Sequence, residues 1–227
     1  MKGRTIMEIK PVKEWSAAIM INHWAMALSI FVLIVTGFYI AEPCTIYQGE
    51  TVDKFFVGNI RYVHILFGIF LMFIFIWRLY LAFFSKFHAD WKDFFAWLDF
   101  ECTWDQIKFY LLIKKDPPEH CSLYGPMQSL AYSGLFFMIF LILITGLILM
   151  GAGYHAGMTA FLYKFLKPVE NMLGGLAIVR YVHHIFTWLF ILFIIVHVYM
   201  AFWYDAILKE GTVSSMISGV LFEREGK

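Results

Sequence analysis

The sequence predicts an all-α integral membrane protein, a four-helix bundle with both termini on the cytoplasmic side. Three observations predict it. The 227 residues are 61% hydrophobic at a mean hydropathy of +0.70, more apolar side chain than a soluble domain of this size hides. Four runs reach the roughly 20 residues needed to cross a bilayer core as helix. Lysine and arginine crowd the flanks on one side of those runs.

The first span covers about residues 19–41, with no charge between Trp15 and Ala41. The second covers 61–84 and is interrupted only by Arg78. The third covers 128–150. The fourth covers 181–204, with no formal charge but three histidines. Helix is the default because an open strand in lipid leaves backbone groups unsatisfied. The whole chain, 1–227, then reads as one transmembrane domain. Between the second and third spans, residues 85–127 mix aromatics with charges. About 90–113 is expected to be an amphipathic helix lying in the cytoplasmic interface, with a partly buried loop as the alternative. Pro117-Pro118 ends it. The stretch 151–179 is expected to be a long, glycine-containing outer loop, a place for a partner to dock.

Twelve Lys and Arg flank the spans on the side of the termini and five on the other side, which places both termini in the cytoplasm. Net charge is +1, so nothing suggests nucleic acid. Three cysteines, Cys44, Cys102 and Cys121, are far apart. They form no C-x-x-C-H for covalent haem, cannot supply an iron–sulfur ligand set and do not indicate a disulfide. The first apolar run is long, so no cleavable signal peptide is expected.

The chain repeats itself. RYVHILF at 61–67 returns as RYVHHIF at 180–186, and with the same offset of 119 Tyr80, Ala82 and Phe83 return as Tyr199, Ala201 and Phe202. In that register Arg78 aligns with His197. The first and third spans also rhyme, IVTGFYI at 34–40 against LITGLIL at 143–149. Two parallel helical hairpins follow.

The histidines sort by depth. His64 and His183 fall near the outer ends of spans two and four; His23 and His197 fall near the cytoplasmic ends of spans one and four. His183 and His197 are fourteen residues apart, roughly 21 Å along a helix and only about 40° around it. One helix face thus offers imidazoles at two depths, each with a partner across the bundle. Two stacked bis-histidine sites follow, and flat macrocycles clamped between facing helices suit them. Zinc or copper wants ligands converging on a small volume instead. Gly37, Gly68, Gly134 and Gly146 offer a porphyrin room, or serve as close helix contacts. His184 lies about 100° away from His183 on a helix and is expected to pack outside that face. His88, His120 and His155 read as solvated loop residues.

Arg78 is costly in a span. It either snorkels to the cytoplasmic interface or pairs a haem propionate or a quinone. Arg61 and Arg180, a turn before His64 and His183, either pair propionates of the outer haem or anchor helix ends.

These residues resemble the cytochrome b subunit of membrane-bound nickel–iron uptake hydrogenases, a family shared with the gamma subunits of formate dehydrogenases. The likeness runs through nearly the whole chain. It includes INHW, VTGFYIAEP, RYVH, WRLY, HVYMAFWYDAI and the tail TVSSMISG at 212–219. It implies two haems b, with His64 and His183 holding the outer and His23 and His197 the cytoplasmic one. It also implies a nickel–iron large subunit and an iron–sulfur small subunit on the periplasmic face. Electrons from H2 would pass through both haems to menaquinone or ubiquinone in the bacterial inner membrane. The family places quinone reduction by the loop into the third span, here EHCSLYGPMQ at 119–128. Related members usually carry Asn where this chain has Gly125. That leaves His120, Tyr124, Gln128 and the Gly125 backbone as candidates at the quinone. Two readings compete: a formate dehydrogenase gamma subunit, with the same haems and another donor, and a haemless transporter or proton channel. A third has the chain serve only as an anchor.

Overall fold

The computed structural model describes residues 9–43, 55–84, 91–111, 113–114, 125–154, 157–209 and 211–224. Four helices carry the fold: α1 (Ala17–Ala41), α2 (Phe56–Phe84), α4 (Pro126–Gly153) and α6 (Leu176–Leu208). Each is long and apolar enough to cross a membrane. Each extends past its predicted span, since a helix continues beyond the hydrocarbon until a cap or break stops it.

α1 packs on α2, α4 on α6, and α2 on α4. Asn22 of α1 is buried and donates from its side-chain amide to the Ile74 carbonyl of α2 at 3.0 Å. Phe75, Ile139 and Phe190 form a small common core, with the Phe75 and Phe136 rings 4.4 Å apart. Outward faces are apolar too, as at Phe31, Val35, Phe73 and Ile76. In lipid such surface carries no penalty, so close fit and polar ties hold the helices together instead.

The termini meet. Strand β1 (Ile9–Lys13) pairs antiparallel with β2 (Val220–Arg224). Just before β2, α7 (Thr212–Ser218) folds against the start of α1. Trp15 donates to the Ser215 hydroxyl at 3.2 Å and Trp24 to the Met216 carbonyl at 2.9 Å. Hydropathy pointed only to helices, because a two-stranded ribbon at the termini leaves no signal in a membrane-span profile.

Between α2 and α4 the amphipathic stretch is not one helix. A 3₁₀ segment (Trp91–Leu98) gives way to α3 (Phe100–Tyr110) at Asp99, whose carboxylate accepts from the Cys102 amide and caps α3. Cys102 is disulfide-bonded, which the wide cysteine spacing does not indicate. The expected outer loop is largely helix: α5 (Gly157–Leu173) packs on α4. Its bounding glycines, Gly157 at φ +68° and Gly174 and Gly175 both at φ +98°, bound the helix instead of making a loop of it.

Candidate functional site

Two imidazole pairs stand at the two ends of the bundle. At the end away from the termini, the His64 ring of α2 faces the His183 ring of α6, centroids 6.4 Å apart. At the end near the termini, the His23 ring of α1 faces the His197 ring of α6, centroids 6.3 Å apart. The four candidate histidines therefore meet in the two combinations read from depth.

The spacing has a physical meaning. Metal–imidazole bonds are about 2.0–2.1 Å, and each ring centroid lies about 1.1 Å behind its nitrogen, so two rings on opposite sides of one metal sit roughly 6.2–6.4 Å apart. Both pairs match that figure. Among the described residues no three metal-ligating side chains converge.

An apolar pocket opens beside the far pair. His64 and His183 line it with Leu33, Met72, Leu143 and Phe190. Gly68, one turn after His64, also lines it and has open space where a Cβ would be. Its walls are apolar apart from the two imidazoles and Thr187.

The rings are held from behind. Thr36 Oγ lies 2.9 Å from His64 Nδ1, and Thr145 Oγ lies 2.8 Å from His183 Nδ1. The next residues, Gly37 and Gly146, place their backbones so that a Cβ would come 3.3 Å and 3.4 Å from the ring Cε1 atoms. Sequence reasoning treated these two glycines as porphyrin room or packing and passed over the threonines. The TG in each rhyming stretch was the available signal.

At the near end, His197 stacks on Phe193 with centroids 5.6 Å apart. Arg78 does not snorkel. It is buried, and its Nε donates to the Tyr132 hydroxyl of α4 at 2.7 Å. Its guanidinium also sits 5.2 Å from the Tyr132 ring centroid. Turning inward lets a buried charge keep a hydrogen bond. Arg61 and Arg180 are exposed at the far end. His184 packs against Phe38, and its Nε2 accepts from Trp188 at 3.3 Å, outside the facing pair as expected.

Of the four quinone candidates, His120 and Tyr124 lie outside the described residues, as do His88 and His155. Gly125 and Gln128 stand at the start of α4, Gln128 exposed. Gln106 of α3, which the sequence did not single out, is buried beside them. Its side-chain oxygen accepts from the Met127 amide at 3.0 Å.

A family model described as prokaryotic cytochrome b561 matches residues 14–219. The chain belongs to the prokaryotic cytochrome b561 family. Among its relatives is a "Probable Ni/Fe-hydrogenase B-type cytochrome subunit" of Azotobacter vinelandii, 30% identical across 92% of this chain and 87% of the relative. A protein of the same description from Rhodobacter capsulatus is 32% identical across 92% and 78%. A "Probable Ni/Fe-hydrogenase 1 B-type cytochrome subunit" of Escherichia coli K12 is 28% identical across 96% and 90%. Membership makes this cytochrome a multi-pass membrane protein and implies haem b. The imidazole spacing and the apolar pocket are compatible with that group.

Proposed function

We propose that this b561-family cytochrome is the di-haem membrane anchor and electron-transfer subunit of a nickel–iron hydrogenase. Two haems b sit at two depths, one held by His64 and His183, the other by His23 and His197. The observation that carries this reading is the pair of ring separations, 6.4 Å and 6.3 Å, at opposite ends of one bundle. Haem b, when bound, supplies one-electron transfer.

The chain's own residues set position and surroundings. Four imidazoles on three rigid helices fix the two sites about 20 Å apart along α6. Leu33, Met72 and Phe190 keep water from the far site. The lysine and arginine bias supports cytoplasmic termini, which makes the His64–His183 site periplasmic. A nickel–iron large subunit and an iron–sulfur small subunit dock on that face. Arg61 and Arg180 are placed to pair carboxylates there, and Arg78 offers positive charge to a propionate or quinone at the cytoplasmic end. Menaquinone or ubiquinone is reduced near the start of α4, with His120, Tyr124, Gly125 and Gln128 as its candidate neighbours. The stretch at 90–113 lies along the cytoplasmic interface, and the chain as a whole is one domain in the inner membrane.

The relatives' descriptions favour a hydrogenase over a formate dehydrogenase as the donor. Membership in a cytochrome family argues against a haemless transporter. The test is H2-driven quinone reduction by the purified complex. His197→Ala is expected to leave the complex assembled and H2 still able to reduce the remaining haem, while quinone reduction falls by at least tenfold. Unchanged quinone reduction in that variant would leave the subunit as an anchor only.

A further inference from the structure

Thr36 and Thr145 occupy matching places in the two hairpins, and each touches the ring of a proposed haem ligand. Thr36 Oγ lies 2.7 Å from the Val32 carbonyl and 2.9 Å from His64 Nδ1. Thr145 Oγ lies 3.0 Å from the carbonyls of Leu141 and Ile142 and 2.8 Å from His183 Nδ1. A threonine hydroxyl has one hydrogen, and a carbonyl oxygen only accepts. The hydroxyl hydrogen therefore goes to the backbone carbonyl, as in helix-borne threonines generally. The remaining lone pairs of Oγ face Nδ1, and they make a bond only if Nδ1 carries the proton. A neutral imidazole protonated at Nδ1 has its free lone pair on Nε2, the nitrogen left for a metal.

We infer that Thr36 and Thr145 are positioning residues: each holds its histidine as the Nδ1–H tautomer with Nε2 free for iron, and both together hold the reduction potential of the His64–His183 haem below that of the His23–His197 haem. The inference rests on the di-haem reading above.

The second half follows from contrast between the two ends. An acceptor on the outer N–H of a ligating imidazole makes that imidazole a stronger donor. Stronger donation favours the oxidised iron and lowers the potential, one of the levers a protein has over a haem. Both far-end rings have such an acceptor. At the near end, His23 Nδ1 is buried and makes no hydrogen bond among the described residues. His197 is exposed, and the Phe193 ring stacks on its face almost parallel at 7°. Both far-end rings thus have a polar partner on Nδ1, whereas His23 Nδ1 at the near end has none among the described residues. That ordering runs electrons from the far haem toward the near one.

Gly37 and Gly146 complete the device. Each follows its threonine directly, and each leaves the ring edge at contact distance where a side chain would stand. The threonine holds the ring nitrogen while the glycine admits the ring.

The experiment uses the assembled complex with Thr36→Val, Thr145→Val, the double variant and Thr36→Ser. Haem b per polypeptide is counted by pyridine haemochrome, and each haem is titrated potentiometrically with the ferric low-spin signals followed by electron paramagnetic resonance. The expected result is an unchanged haem count, with one potential moving upward in each Val variant and further in the double, the other potential fixed. Thr36→Ser, which keeps the hydroxyl, returns the wild-type value. If Thr36→Val fails to assemble, Thr145→Val reads the same effect from the opposite ring. Full haem content with both potentials unmoved would overturn the inference. Failure of the di-haem reading shows separately, as a His64→Ala variant that keeps every haem.

Discussion

Arg78 donates to the Tyr132 hydroxyl at 2.7 Å, at the register positions that hold His197 and His23 in the other half of the repeat. The offset of 119 carries Arg78 onto His197, and the offset that aligns IVTGFYI with LITGLIL carries His23 onto Tyr132. One pairing occurs twice. Between α1 and α6 it leaves two rings 6.3 Å apart. Between α2 and α4 it closes into a direct hydrogen bond, with Phe75 and Phe136 packed beside it. His64 and His183 are register mates of each other, so the far-end site lies on the repeat axis and the near-end site off it.

Tyr132→Phe is expected to destabilise the bundle by about 1.5–3 kcal/mol, the range for a hydrogen bond to a charged group. Arg78→Met with Tyr132→Phe should cost less than the sum of the two single changes, because the second no longer strands a buried charge. Unfolding in mixed micelles, run as a double-mutant cycle, checks both. Additive losses would mean the contact carries no coupling.

Gln106 caps α4 from another helix. Gly125 is the N-cap residue and offers no side chain, while Gln106 accepts from the Met127 amide at 3.0 Å. A Cβ at position 125 would come 2.5 Å from the Gln106 side-chain nitrogen. Gln106→Ala should therefore cost about 1 kcal/mol, and adding Gly125→Asn should recover it, since Asn caps a helix with its own side chain. In the wild-type background Gly125→Asn should bring no gain, because the Gln106 amide must move aside. Thermal unfolding of the three variants checks the sign of each change.

Gly37→Ala puts a methyl 3.3 Å from the His64 ring. That is tight enough to turn the imidazole by a small angle and to strain its contact with Thr36. The expected outcome is a changed ferric low-spin resonance for one haem and faster loss of that haem on warming. Gly134→Ala, with nothing within 4 Å of its Cβ, should change neither.

On α5, Lys167 and Tyr163 both donate to the Glu170 carboxylate, with Lys167 Nζ 2.7 Å from Oε1. Lys167 first and Tyr163 second hold that carboxyl below the ordinary glutamate range. A depressed carboxylate adds stability above its unfolded value, about pH 4.5, and loses it as pH falls through the lower folded value. Melting temperature should therefore drop more steeply below about pH 4.5 in the wild type than in Glu170→Gln. Identical slopes would remove Glu170 from the account.

Most of the bundle was legible in the sequence because lipid imposes long apolar helices, and because four histidines cannot be spread through them without partners. The quoted motifs turn out to be working parts. In INHW, Asn22 ties α1 to α2, His23 faces His197, and Trp24 clamps the tail. The tail TVSSMISG, which hydropathy does not explain, places Ser215 against Trp15. What stayed hidden depends on contacts between distant residues. Nothing local in α3 marks Gln106 as the cap of α4, and a threonine inside an apolar run looks like any other until the ring behind it is placed. Arg78 was open between two roles because a side chain that long reaches either the interface or the interior.

The most direct test of the di-haem account is haem b per polypeptide in the purified subunit, with His64→Ala and His23→Ala beside the wild type. The account predicts two haems in the wild type and one in each variant, with a different potential surviving in each. A folded wild type holding a single haem, or two variants that lose the same haem, would contradict it.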